Sequence, residues 1–343
     1  MRKIILVVLL ILFSLVACQQ EEANNVGEDN QENATSQSEE GQLYPFTGLE
    51  TSEAIDQRPI AMMVSNQVQA RPQSGLQEAD IIFEFLTEGN ITRYLALYHS
   101  QLPDKVGPIR SAREYFFTLA DSYDALYVYS GAANFVNDMI QSREIEHVQA
   151  GLHENSDAFF RTDDRVTPHN LYGNLNEIYH LAEEKAYETS GSYPAYSYTG
   201  ADDLTGEDAN YVKIDYYGGT PVMEFTYNDQ EKVYEQTMDG DLTRDLETDE
   251  PIAINNLFII ETDHEVIDEQ QRRKIDVTSG GKAYLLRQGK KQELQWENQD
   301  GYIVPVQDGE VIPFIPGKTW ISVVQTTPEP GVVEQVVIEQ VDE

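Results

Sequence analysis

Arg58-Pro-Ile-Ala-Met-Met-Val-Ser-Asn66 is an apolar run of strand length with proline near its start and asparagine at its end. Length and flanks assign Pro59 to Ser65 to a buried strand. Working outward, Ile81 to Leu86, Arg93 to Tyr98 and Ala125 to Tyr129 share that character. Helices are expected between or after them, over Ser111 to Ser122, Asn134 to Ser142 and Leu175 to Ala186. Strands mixed with helices predict an α/β domain over residues 45–195. Beyond the turn-rich joint Ser190 to Gly200, the pattern changes. Val212 to Tyr216, Val222 to Tyr227, Leu257 to Thr262, Ala283 to Arg287, Thr319 to Val324 and Val332 to Ile338 are short apolar runs between Gly, Asp, Asn and Pro turns. That rhythm predicts a smaller, mainly antiparallel β domain over 205–338. The fold class expected is therefore α+β, a mixed N-terminal domain followed by a β-rich one.

The N-terminus is built for export. Met1-Arg2-Lys3 is positive and Ile4 to Val16 is apolar, the anatomy of a signal peptide over residues 1–17. The run is short of the ~20 residues a lasting span needs. Leu15-Val16-Ala17-Cys18 resembles a bacterial lipobox, and Cys18 is the only cysteine of the chain. One cysteine makes no internal disulfide, so lipidation accounts for its presence. Residues 18–44 are then a disordered acidic tether, since Gln19 to Gln57 holds no lysine or arginine and little apolar bulk before Leu43. The expected place is the extracytoplasmic face of the cell membrane, with the lipid on Cys18 as the membrane contact. A formal net charge of −37 disfavours nucleic acid and anionic head groups as partners.

Val106-Gly-Pro-Ile-Arg-Ser-Ala-Arg-Glu-Tyr-Phe-Phe117 carries the most chemical information. Ser111 and Glu114 have capping-box spacing, so a helix is expected to start at Ser111. Arg110 and Arg113 then sit at the positive end of its dipole, where a cation costs about 0.3 to 1 kcal/mol. A bound anion would remove that conflict, and a helix start already favours one. Arg71, Arg93 and Asn66 join Arg110 and Arg113 as candidate anion-binding residues, because Asn66 and Arg71 follow the first strand. Nearby acids, Glu84 and Glu88 among them, could instead absorb the arginines in structural ion pairs. Ser74 and Gln77 form a second capping pair before a short helical turn. His169 and Asp164, in Arg161-Thr-Asp-Asp-Arg-Val-Thr-Pro-His-Asn170, are candidate catalytic groups. No HExxH or comparable spacing points to a metal, and neither a P-loop nor G-x-G-x-x-G is present, so no cofactor is expected.

Arg58 to Asn66, Ala70-Arg-Pro-Gln-Ser-Gly-Leu-Gln-Glu-Ala-Asp80, Glu88-Gly-Asn-Ile-Thr-Arg93, Val106 to Arg113 and Pro168-His-Asn170 together resemble the N-terminal domain of the YerB-like lipoproteins. Gly280-Gly-Lys-Ala-Tyr284 and Pro316-Gly-Lys-Thr-Trp320 resemble that family's C-terminal domain. The resemblance implies a two-domain surface lipoprotein of Gram-positive-type bacteria, and it carries over no activity and no catalytic residue. From side-chain chemistry, the leading expectation is a binding protein for an anionic cell-envelope component. The alternatives are an envelope phosphate- or glycan-processing enzyme with an arginine-lined pocket, and a scaffold for a protein partner.

Overall fold

The computed structural model describes residues 41–154, 156–201, 204–216, 222–326 and 335–341. The signal peptide, Cys18 and the tether up to residue 40 lie outside the described residues, as does the start of the run from Val332. The first half contains strands β1 (Ile60–Ser65), β2 (Ile81–Leu86) and β3 (Thr92–Tyr98), helix α1 (Glu114–Ser122), β4 (Leu126–Tyr129), α2 (Asn134–Ser142) and β5 (His147–Gln149). It closes with the ribbon β6 (Phe159–Arg161) and β7 (Leu171–Gly173) and with α3 (Leu175–Glu184). The second half adds β8 (Tyr211–Asp215), β9 (Val222–Asn228), β10 (Val233–Met238), β11 (Asn256–Thr262), the ribbon β12 (His264–Val266) and β13 (Arg273–Ile275), and β14 (Gly281–Arg287). It ends with β15 (Lys290–Gln299), β16 (Tyr302–Gln307), β17 (Thr319–Gln325) and β18 (Val336–Glu339). Strand dominates, and all three described α-helices belong to the first half.

One sheet runs through both halves, in the order β16-β15-β14-β11-β17-β2-β3-β1-β4-β5. The junction is the parallel pair β17–β2, with Thr319 opposite Ile81 and Ser322 opposite Glu84. Every residue of β1, β2, β3 and β17 is buried. The reason is that both faces of the sheet are covered, so the strands read as continuous apolar runs. Ala61, Met63, Phe83, Phe85, Leu95 and Ile321 face α1 and α2. Met62, Val64, Ile82, Tyr94 and Trp320 face α3 and a second, antiparallel sheet built on β10-β9-β8-β18.

Strands β1, β2, β4, β5, β11 and β17 all point the same way, whereas β3 runs against its neighbours. The segments that follow those six strands therefore gather at one edge, the position where open sheets place their ligands. Asn66 to Gln73, Glu88, Ser130 and Leu152 are all at that edge.

The two expected caps are not formed. Residues 109–112 stay extended, with Ile109 bridged to Val64, the Arg110 N–H donating to Met63 O and the Ala112 N–H to Gly131 O. Tertiary pairing thus takes the backbone groups that a helical start at Ser111 would have used, and α1 begins at Glu114 with Arg113 as an N-cap lacking a side-chain bond. Likewise Ser74 pairs through its backbone with Gly107, its Oγ donates to Glu247, and the Gln77 amide oxygen accepts from Ala253 N–H. A single hydrogen-bonded turn does follow, the Ala79 N–H donating to Leu76 O at 3.3 Å, but neither Ser74 nor Gln77 caps it. Gly107 is required there, because a Cβ would come 2.9 Å from Leu171 O.

Candidate functional site

The turn between β2 and β3 places Glu88 beside the first residues of β3. Its carboxylate accepts from Arg93 at 2.7 Å and also pairs with Arg113, while Arg93 donates onward to Ser111 O at 3.2 Å. Burial holds both guanidinium pKa values below the usual arginine range. For Arg113, at the start of α1, the compensating anion is thus internal to the fold.

Arg71 reaches back to the loop after β1. It donates to Asn66 O at 3.0 and 3.2 Å and to Asn66 Oδ1 at 3.2 Å, and it pairs with Asp239, after β10, at 2.9 Å. Asn66 is fixed from the other side, where its Nδ2 donates to Thr92 Oγ1 at 2.7 Å and to Glu84 Oε1 at 3.3 Å. Arg71 and Asp239 therefore join the two sheets across a cleft.

Arg110 differs from these three. Among the described residues no carboxylate pairs with it; one terminal N–H donates to the Gln67 amide oxygen, and Nε is buried without an acceptor. Burial, with Arg93 adding repulsion, brings its pKa down to about 10, so it keeps its charge at neutral pH. His169 lies within reach of its field, and burial together with Arg110 and Arg165 depresses the imidazole pKa. The Arg165 guanidinium donates to Ala70 O, Pro72 O and Tyr172 Oη, which seats the 162–170 loop on the loop after β1. Asp164 is exposed and held low by the Thr162 hydroxyl; no carboxylate is among the groups acting on His169. Among the described residues no group of three or more His, Cys, Asp or Glu side chains is placed to hold a metal.

Behind Asn66 lies a polar cluster that sequence reading passed over. Glu84 is fully buried, and burial raises its pKa to about 7 against the pull of Thr92, Trp320, Arg71 and Tyr216. Strand register sets Ser322, Glu84 and Tyr94 in one row. Glu84 Oε2, Tyr94 Oη, Tyr216 Oη, Trp320 Nε1 and Ser322 Oγ are all buried without a well-formed hydrogen bond. The available signal was an acid alone in the apolar run Ile81 to Leu86. Lys318 was also missed: its ammonium, fully buried, donates to the carbonyls of Leu76, Gln77 and Ala79 at 2.7 to 2.9 Å. Its place beside Gly317 in an apparent β-turn gave no sign of an inward side chain.

With this arrangement in view, two family models match the chain. The one described as Protein of unknown function (DUF3048) N-terminal domain covers residues 46–188, and its C-terminal counterpart covers 212–321. The chain belongs to this two-domain family. "Putative lipoprotein YerB" of Bacillus subtilis (strain 168) is 38% identical over 317 residues, 92% of each chain. The crystal structure of YerB protein from Bacillus subtilis superposes with a TM-score of 0.80 at 38% identity, over 87% of this chain and 100% of that one. Both family segments contribute to the long sheet, joined by β17 and β2.

Proposed function

We propose that the chain is a lipid-anchored, extracytoplasmic binding protein for an anionic component of the cell envelope. In this reading Cys18 carries the lipid, residues 18–44 form the tether, and 45–195 and 205–338 are the two domains of the working body at the outer face of the cell membrane. The name of the Bacillus subtilis relative agrees with a lipid anchor.

Arg110 carries the anion reading. In a chain of net charge −37, its guanidinium meets a neutral amide where Arg71, Arg93 and Arg113 meet carboxylates. A guanidinium at a loop rim with donors to spare favours phosphate or carboxylate, which it can grip through two parallel N–H groups. Arg165 and His169 add donors on the same side. The test is thermal unfolding of the full chain in detergent micelles, titrated with inorganic polyphosphate. A ligand at a hundredfold excess over Kd stabilises by about 2.7 kcal/mol, so the wild-type midpoint should climb with dose while Arg110→Ala stays nearly flat. Identical curves for the two proteins would overturn the reading.

A further inference from the structure

The segment after β1 serves two places at once. Gln67 accepts from Arg110 on one side, and on the other it lines the cleft of about 300 Å³ between the sheets. That cleft has a different chemistry from the arginine rim. Its polar walls are the carboxamides of Asn66, Gln67, Gln69 and Asn90, together with the mutually neutralising pair Arg71–Asp239. A second cleft of about 430 Å³ adjoins it across Arg71 and Asp239.

Carboxamides offer a donor and an acceptor from one planar group, as a sugar hydroxyl does from one oxygen. The exposed carboxamides of Gln69 and Asn90, the cancelled pair Arg71–Asp239 and the apolar side chains of Val68 and Ile91 together suit a ligand with hydroxyl or amide groups on an apolar-faced ring and without charge in that part. The volume lies at the lower end of ordinary ligand pockets. The back of the cleft is fixed: Asn66 is buried, and its carboxamide is held by Arg71, Gln73, Thr92 and Glu84.

We infer that the ligand is an anionic saccharide, with its uncharged ring in the cleft at Gln69, Asn90 and Asp239 and its anion at Arg110, Gln67 bridging the two. The charged half of this inference rests on the anion reading given above; the saccharide half stands on the cleft alone.

Isothermal titration of the full chain in detergent micelles separates the two halves, with inorganic phosphate, N-acetylglucosamine and N-acetylglucosamine 1-phosphate as probes. Gln69→Ala and Asn90→Ala change exposed side chains and leave the fold intact. The sugar phosphate should bind at least tenfold more tightly than either part alone. Gln69→Ala combined with Asn90→Ala should bring its affinity down to that of phosphate, and Arg110→Ala down to that of the neutral sugar. Equal affinity for phosphate and sugar phosphate, unchanged in the Gln69/Asn90 variant, would overturn the saccharide inference and leave the anion reading standing. Sugar binding with no response to phosphate or to Arg110→Ala would overturn the anion reading instead. Silence toward all three probes would count against both.

Discussion

Glu84 is a carboxyl group placed in the middle of a strand that is covered on both faces, and its protonation is tied to folding. Its folded pKa, about 7, lies above the 4.5 of an ordinary glutamate. The protonated form is therefore favoured by the fold; its contribution is complete below pH 4.5 and is lost as pH rises through 7. Glu84→Gln keeps the shape and cannot ionise. Chemical denaturation should find the variant gaining on wild type between pH 5 and pH 8, by on the order of 3 kcal/mol. A difference that stays constant with pH would mean the carboxyl titrates normally. Arg110 is the complementary case at the rim, an arginine whose partner the fold does not supply, and Arg110→Ala should cost little stability while removing the anion response.

Among the elements, the ribbon β12–β13 carries the acid-sensitive point. His264 is buried with both ring nitrogens unbonded, and burial beside Arg273 brings its pKa down to about 3. The unfolded imidazole takes up a proton below about 6.5 and the folded one does not, so this residue's contribution is present above pH 6.5 and is lost progressively toward pH 3. His264→Phe removes the titration, and its unfolding midpoint should fall less than that of wild type between pH 6.5 and pH 4. Parallel decline of the two proteins would assign the acid limb elsewhere. Strand β17 is the other decisive element. Its seven residues are buried between β11 and β2, and the preceding Lys318 closes three carbonyls of the 76–79 loop. Lys318→Met leaves the Gln77 and Ala79 carbonyls without that donor, Leu76 O keeping the Ala79 N–H, and should destabilise by about 1 to 3 kcal/mol in denaturant titration.

For the whole molecule, the shared sheet makes the two family segments one folding unit. Separated from β17, β2 would expose an unpaired apolar edge, a template for aggregation. Residues 41–201 expressed alone should aggregate, and the intact chain should unfold in one transition seen alike by tryptophan fluorescence and circular dichroism. Two separate transitions would contradict the continuity of the sheet. Phe46, near the start of the described residues at 41, packs on His99 and Tyr302 at the amino-terminal end of β1 and β2. The rim of Arg110 and His169 lies at the opposite edge.

Sequence alone determined the elements whose signal is local. The runs at β1, β2, β3 and β4 and the helix Asn134–Ser142 were legible because burial on both faces, or amphipathic spacing, is written residue by residue. Signals that depend on a distant partner were not. The Ser111 and Ser74 caps lost to backbone pairing with Met63, Gly131 and Gly107, segments far away in the chain. The arginines were visible as a group, but only the tertiary structure decided that Arg93 and Arg113 share Glu88, that Arg71 meets Asp239 across 168 positions, and that Arg110 meets no carboxylate among the described residues. The physical reason is range. Hydrophobic periodicity acts over a few residues, whereas the pairing of a charge is settled by whichever chain the packing of two sheets brings alongside it.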